Sequence, residues 1–369
     1  MIEINRLPVR RNSIFYVAVF IYQMNEINEN KLVEDLVQSF PRSLAQLNKL
    51  HESDAELFRM PGGDMLIAVT TDSICEEIEL GIYTDPYLIG YMLVTINISD
   101  LAAVGAKPFG LTLNQTFTRD CSSDYVSRMG KGITDACNTY SVSILGGDTN
   151  FSSQIQMGAT AIGYIPSGSP LTRKGCRAGD KMFTSGYLGN GNAYAFEKLI
   201  NTGSSASHSR PLARVEEGAI VSQYASSCID TSDGFFAAID QLMRINNIGF
   251  KINAPISGYL AESSAQLCRQ NSLPPWFMFA GPHGEFELLF TIPSEKVDAF
   301  ILHAHSVAWK PILLGTAVQE PSISINYRNS VRQFDTGNVR NLFNGETKDL
   351  QYYISELMKI EHTFSGGLP

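Results

Sequence analysis

Five short stretches of this chain, each apolar or bounded by glycine, carry a terminal or near-terminal aspartate: Thr70-Thr71-Asp72, Asn97-Ile98-Ser99-Asp100, Gly146-Gly147-Asp148, Asp230 and Ser232-Asp233-Gly234. Acids at the ends of apolar runs predict carboxylates gathered at one rim of a core. Burying several of them together is costly, because desolvation and mutual repulsion both oppose the charged form. A cation is the simplest remedy, and hard divalent ions such as magnesium take carboxylates together with phosphate oxygens and water. The pattern points to magnesium and a nucleotide. Taken singly, each segment also reads as a turn or helix cap, since Asp and Ser before Gly are common in both.

The chain has 369 residues, enough for two domains, and 44% of them are hydrophobic, so a large core is attainable. A net charge of -9 with no basic cluster argues against a nucleic-acid-binding surface. Cys75, Cys121, Cys137, Cys176, Cys228 and Cys268 are dispersed without a C-x-x-C pair, which gives no zinc signal and fits reduced thiols in a cytoplasmic protein. The apolar run 14–22 follows Arg10 and Arg11 but is too short to span a bilayer. It reads as a strand, or as an upstream extension with the working start nearer Met24.

Periodicity predicts helices over 30–40, 86–106, 124–140, 193–200, 219–224, 234–245 and 348–360. Strands are expected at 65–71, 141–145, 154–165, 182–184, 250–252 and 288–292. The Ser-, Gly- and Pro-rich run 166–170 reads as a linker, which divides the chain into an extension 1–29, a domain 30–165, a domain 166–345 and a terminal helix with tail 346–369. Gly186, Gly189 and Gly191 lie between a strand and a helix. Such a loop either offers backbone N–H groups to a phosphate or is a simple tight turn.

Several of these strings resemble a known family. Thr71-Asp72-Ser73, Thr84-Asp85-Pro86-Tyr87-Leu88-Ile89-Gly90 and the run from Asn97 to Pro108 look like the amino-terminal half of thiamine-monophosphate kinases. Gly146-Gly147-Asp148-Thr149, Thr172-Arg173 with Gly179-Asp180, Arg210-Pro211 with Arg214-Val215, Asp230-Thr231-Ser232-Asp233-Gly234 and Phe286-Glu287-Leu288-Leu289-Phe290 follow in the family's order. The resemblance covers about residues 30–320. It implies the two-domain α/β fold shared with aminoimidazole ribonucleotide synthetase and selenophosphate synthetase, with the amino-terminal sheet shared across a homodimer and a carboxy-terminal α/β domain.

The same resemblance implies a magnesium- and ATP-dependent phosphotransferase that passes the ATP γ-phosphate to a small acceptor. It assigns magnesium to Asp54, Thr70, Thr71, Asp72, Asp100, Asp148, Asp230 and Asp233, with Asp72, Asp148 and Asp233 at the chemistry. ATP falls to Arg173, Ser232, Gly147 and Asp148. Phosphoryl transfer is mainly positioning and charge neutralisation, which agrees with a site that lacks a protein nucleophile. An ATP-driven synthetase or cyclo-ligase, and a nucleotide-binding regulator without turnover, are the alternatives.

Three departures from the family pattern bear on the acceptor. Glu52-Ser53-Asp54 stands where the family has Gly-Asp-Asp, Glu79 stands where it has a substrate-contacting histidine, and Gly284 replaces a glutamate. With Glu79 in the acceptor pocket, an anionic group there would be repelled and a cationic or hydrogen-bond-donating acceptor favoured.

Overall fold

The computed structural model describes residues 29–60, 62–165, 170–200, 210–253, 255–327, 330–336 and 355–359, which form a mixed α/β fold around two sheets. A helix α1 (Glu29–Val37) precedes the first sheet, whose strands are β1 (Glu56–Arg59), β2 (Leu66–Ser73), β3 (Lys107–Thr118), β4 (Ser143–Ser152) and β5 (Gln156–Ile165). Their order is β1-β2-β5-β3-β4, and only β3 and β4 run parallel. The expected strands at 65–71 and 154–165 are found. No expectation covered β3, because bulges at Pro108/Gly110 and Leu111/Thr112 break the alternation that marks a strand in sequence.

Strand β4 also runs past its expected end at Leu145, so Gly146-Gly147-Asp148 lies within a strand and not at a turn. Gly147 shows why: a Cβ there would sit 2.4 Å from the Leu113 carbonyl oxygen, a backbone approach that glycine alone tolerates. β2 is an inner strand between β1 and β5, and the open edge is β4, exposed along its whole length and carrying Ile144, Leu145 and Phe151.

One face of this sheet packs under helices α3 (Pro86–Ala103) and α4 (Ser123–Tyr140), which follow a short α2 (Cys75–Glu79). The other face, with Ile67, Val69, Ile162 and Tyr164, is only half-buried. Helix α3 begins as its sequence predicts, with Pro86 in the first turn and the Asp85 carboxylate accepting the Tyr87 N–H at 3.0 Å. It is apolar on all sides and therefore buried on all sides, between the sheet, α4 and the second half of the chain. Asp100 thus lies inside a helix, not at the end of an apolar run.

The second sheet has the order β12-β11-β8-β10-β6-β9-β7. Its strands are β6 (Lys181–Thr184), β7 (Ser227–Asp230), β8 (Gly249–Ile252), β9 (Leu288–Ile292), β10 (Ile312–Val318), β11 (Ile323–Tyr327) and β12 (Ser330–Phe334). The helices are α5 (Asn190–Leu199), α6 (Val215–Tyr224), α7 (Phe235–Asn246), α8 (Glu262–Asn271), α9 (Phe277–Ala280) and α10 (Val297–Ser306). A Phe- and Trp-rich core including Phe236, Trp276, Phe279 and Phe250 holds these helices to the sheet. Most of the helix expected over 348–360 lies outside the described residues, as do the extension 1–28 and residues 166–169 of the expected linker. No described helix is long and apolar enough to cross a membrane.

Helices α3 and α4 cross through a reciprocal pair of glycines. A Cβ at Gly90 would meet the Met129 carbonyl oxygen at 2.0 Å, and one at Gly132 would meet that of Tyr87 at 2.0 Å. Both obstacles are backbone, which cannot rotate aside. Gly132→Ala is expected to destabilise the protein by about 1–3 kcal/mol or more and to lower its thermal midpoint by several degrees. An unchanged midpoint would show that the crossing relaxes freely.

Candidate active site

Asp54 stands in the loop before β1, Asp100 near the end of α3, and Asp230 at the last position of β7. The fold brings one carboxylate oxygen of each to within 4.8 Å of the others. Every acid has a fixed partner. Thr70 Oγ1 donates to Asp100 Oδ2 at 2.5 Å, and Ser99 Oγ donates to Asp230 Oδ2 at 2.6 Å. Ser232 Oγ donates to the other Asp230 oxygen at 2.8 Å, and the Arg173 guanidinium donates to Asp54 Oδ1 at 2.8 Å. Asp54 is 1% exposed and Arg173 18%, so this ion pair has left the solvent.

Burial and mutual repulsion raise the proton affinity of these carboxylates. Burial, then the charges of Asp230, Asp54 and Asp72, hold the Asp100 carboxyl well above the usual range. Burial and Asp54 push Asp230 up to about 7. Arg173 is raised against the effect of its own burial, chiefly by the charge of Asp54 and the hydrogen bond to it. One guanidinium faces three carboxylates. Asp54 Oδ2 and Ser53 Oγ are buried with no hydrogen-bond partner among the described residues. Buried oxygen ligands with an unpaired carboxylate oxygen suit a hard divalent ion such as magnesium.

A second acidic group adjoins the first. Asp72 ends the core-facing row of β2, its N–H donating to Asn97 Oδ1 at 3.1 Å, and its charge reaches both Asp100 and Glu77. Asp233 faces Glu77 from the other half of the chain. Glu77 is pushed up to about 7 by burial first, then by Glu76, Asp72 and Asp233. Glu79, expected in the acceptor pocket, is exposed. Residues two apart on a helix point in different directions, so on α2 it is Glu77 that turns inward. The expected repulsion of an anionic acceptor by Glu79 loses its footing.

Arg173, Asp230, Ser232 and Asp233 line a cavity of about 230 Å³ together with Val33 of α1 and His51. Thr70 and Asp72 belong to this side of the sheet. Thr71 and Asp148 do not. Thr71 hydrogen-bonds Thr160 at 2.8 Å on the half-exposed face, and Asp148, bonded to Asn150, pairs in register with Asn114 on that same face. Asp148 and Gly147 lie on β4, three strands from Asp72, or about 14 Å. Within one chain Asp148 therefore does not join the trio. Nor does the glycine loop present a free anion site: the Gly189 N–H, at the start of α5, donates to Glu285 Oε2 at 2.7 Å, so a buried carboxylate of the chain already fills that position.

Sequence reasoning missed Ser99, Asn97 and Glu77 as site residues. Ser99 and Asn97 lie in a string read for its aspartate, and only the pitch of α3 turns them toward Asp230 and Asp72. Glu77 carried no signal beyond its charge.

Residues 52–165 match the family described as AIR synthase related protein, N-terminal domain. The thiamine-monophosphate kinase of Buchnera aphidicola subsp. Acyrthosiphon pisum is 30% identical over 257 residues, covering 66% of this chain and 77% of that one. This chain belongs to the thiamine-monophosphate kinase family. The solved thiamine monophosphate kinase of Aquifex aeolicus shares the fold, with a TM-score of 0.65 at 21% identity over 82% of this chain and 97% of that one. So does AaThiL complexed with AMPPCP and TMP, with a TM-score of 0.66 at 19% identity over 85% and 98% of the two chains.

The buried acids set a pH dependence. In the folded chain Asp230 and Glu77 hold their protons to about pH 7 and Glu285 to about 8, whereas the same carboxyls ordinarily titrate at 3.8 for Asp and 4.5 for Glu. Between those limits the folded state binds more protons than the unfolded one, so stability falls as pH rises through the window. Metal-free protein is expected to melt at a higher temperature at pH 5 than at pH 8. Magnesium should raise the midpoint at pH 8 and flatten the trend. Calorimetric melts at both pH values, showing no fall with pH and no response to magnesium, would remove the strained trio from the account.

Proposed function

We propose that this chain is an ATP-dependent kinase that phosphorylates thiamine monophosphate, with magnesium held by Asp54, Asp100 and Asp230. The observation that carries the reading is the buried trio with its unsatisfied Asp54 oxygen beside a buried arginine. Family membership supplies the acceptor, because the relatives are thiamine-monophosphate kinases and AaThiL is complexed with AMPPCP and TMP.

Magnesium, when bound, would offset the charge of the triphosphate and of the phosphoryl group in transfer. The residues of the chain do the rest. Arg173 is placed to pair with a phosphate oxygen, and Ser232 to donate a hydrogen bond beside it. Asp72 and Asp233, on opposite halves of the chain, flank the space where donor and acceptor would meet. Thr70 and Ser99 fix the Asp100 and Asp230 carboxylates in orientation. Transfer between two phosphates needs alignment and charge balance and no covalent nucleophile from the protein, which matches a site made of acids, hydroxyls and one guanidinium. The division into 30–165 and 166–345 is part of this reading, with the trio drawn from both sides of the boundary.

A homodimer is the second part of the proposal. The half-exposed face of the first sheet and the open β4 edge leave Ile67, Val69, Ile162, Tyr164, Ile144 and Phe151 inadequately covered, and unpaired edges are liabilities that proteins hide. A twofold mate laid on this face covers them. In that assembly Thr71 and Asp148 are the residues left to serve a site shared between copies, since neither reaches the trio within one chain. Sedimentation is expected to give twice the chain mass of 40.6 kDa at micromolar concentration, and a monomer throughout would contradict this.

ADP formation should require both magnesium and thiamine monophosphate. Asp54→Asn or Asp230→Asn should lower kcat by about 100-fold or more, the scale of losing a charge-stabilising group at the transferring phosphoryl, while the variants melt no lower than the parent. A coupled assay for ADP tests this. Activity in both folded variants equal to that of the parent would sink the metal assignment.

A further inference from the structure

Arg173 is the only cation paired with the trio among the described residues, and its place depends on a loop with no regular structure of its own. That loop, 172–176, follows the second half's first described residues and carries Gly175 at φ +131°, where an added Cβ would meet the Ser226 carbonyl oxygen at 2.2 Å. Such a segment needs outside partners to hold one conformation. One side chain supplies three of them.

Asn246, the last residue of α7, reaches over the loop with both ends of its amide. Its Oδ1 accepts the N–H of Gly175 at 2.8 Å and that of Cys176 at 3.1 Å. Its Nδ2 donates to the Arg173 carbonyl oxygen at 2.8 Å and to the Leu242 carbonyl oxygen, one turn back in its own helix, at 2.9 Å. Every hydrogen-bonding position that an amide commonly uses is filled. From the other side, the Arg173 N–H donates to the Glu52 carbonyl oxygen at 2.8 Å, and Lys174 Nζ bonds Glu52 Oε1 at 2.8 Å.

The helix that ends at Asn246 starts at the site. Asp233 and Gly234 immediately precede α7, and Ala237, Ala238 and Gln241 of the same helix line the cavity with Arg173. We infer that Asn246 is a positioning residue that locks the Arg173 loop to α7, so that the guanidinium and the Asp230–Asp233 turn keep one spacing when a nucleotide binds. The inference rests on the proposed function for the role of Arg173. Asn246 does not touch the cavity and acts only through the loop. No other amino acid offers an acceptor to two adjacent N–H groups and a donor to a carbonyl from this position. Aspartate keeps the acceptor and loses the donor.

The test is a double-mutant cycle on the full-length protein, with magnesium and the non-hydrolysable analogue AMPPCP titrated by calorimetry. Asn246→Ala is expected to weaken AMPPCP about tenfold, the scale of losing a few net hydrogen bonds, and to raise KM for ATP more than it lowers kcat. Arg173→Ala should weaken it further. The double variant should bind no worse than Arg173→Ala alone, because Asn246 has nothing left to position. Asn246→Asp should fall between Asn246→Ala and the parent, and serves for the same cycle if the alanine variant does not fold. Parent-like affinity in the Asn246 variants, or losses that simply multiply, would overturn the inference while leaving the nucleotide site intact. Failure of the parent to bind AMPPCP would overturn the nucleotide reading itself, and this inference with it.

Discussion

Repulsion among Asp54, Asp100 and Asp230 is the constraint around which the rest of the chain is arranged. The three acids come from a loop, a helix and a strand end, and the two halves of the chain meet where they meet. A buried ion costs several kcal/mol unless it is paired. The fold answers with hydroxyls from Thr70, Ser99 and Ser232 and with one guanidinium. That answer is incomplete. The carboxyls of Asp100 and Asp230 stay well above their ordinary range, and one oxygen of Asp54 has no partner among the described residues. Repulsion of this kind lowers stability, and apolar residues in the same place would not carry it.

Helix α3 is what makes the trio possible. It is buried along almost its full length, with Gly90 admitting α4 on one side and Gly218 of α6 admitting the Ala102 backbone on the other. Close backbone approach on both sides fixes its rotation and its depth. Ser99 then reaches Asp230 on the second sheet without freedom to retreat, while Asp100 accepts from Thr70 and Asn97 reaches the backbone of Asp72, both on the first. The other acids stand on or beside loops that are tied to one another: 52–54 to 172–174 by two ion pairs, and 231–234 to 284–287 by backbone hydrogen bonds.

A separate buried group lies apart from the trio and is built on other chemistry. Tyr83 and His283 are buried and share a hydrogen bond at 3.3 Å, with the imidazole lowered to about 4 by burial and therefore neutral. Glu285 and Glu287 are buried as well. The first is pushed up to about 8 by burial and holds the start of α5, while the second is paired with Arg214. These acids organise backbone and do not face the trio. The acidic character that the sequence shows near 285–287 is thus structural, whereas Glu77, which drew no notice, faces Asp72 and Asp233.

Much of this protein was legible from residue order alone. Asp85-Pro86 predicted the start of α3, because capping is local chemistry that spacing reveals, and of the five aspartate segments two, those of Asp100 and Asp230, bring their carboxylates together in the trio. The family strings placed Asp54, Arg173 and Ser232 with them. Tertiary structure decided which acids meet. Thr70 and Thr71 are neighbours in sequence and lie on opposite faces of a sheet, since a strand alternates. Asp148 looks equivalent to Asp72 in sequence, yet it stands three strands away because β4 pairs with β3 at the open edge. Glu77 replaced Glu79 because a helix turns by about 100° per residue. Asn246 gave no sign at all, for its partners lie some seventy residues away, and no local pattern records a contact made by the end of one helix with a loop that long separated from it.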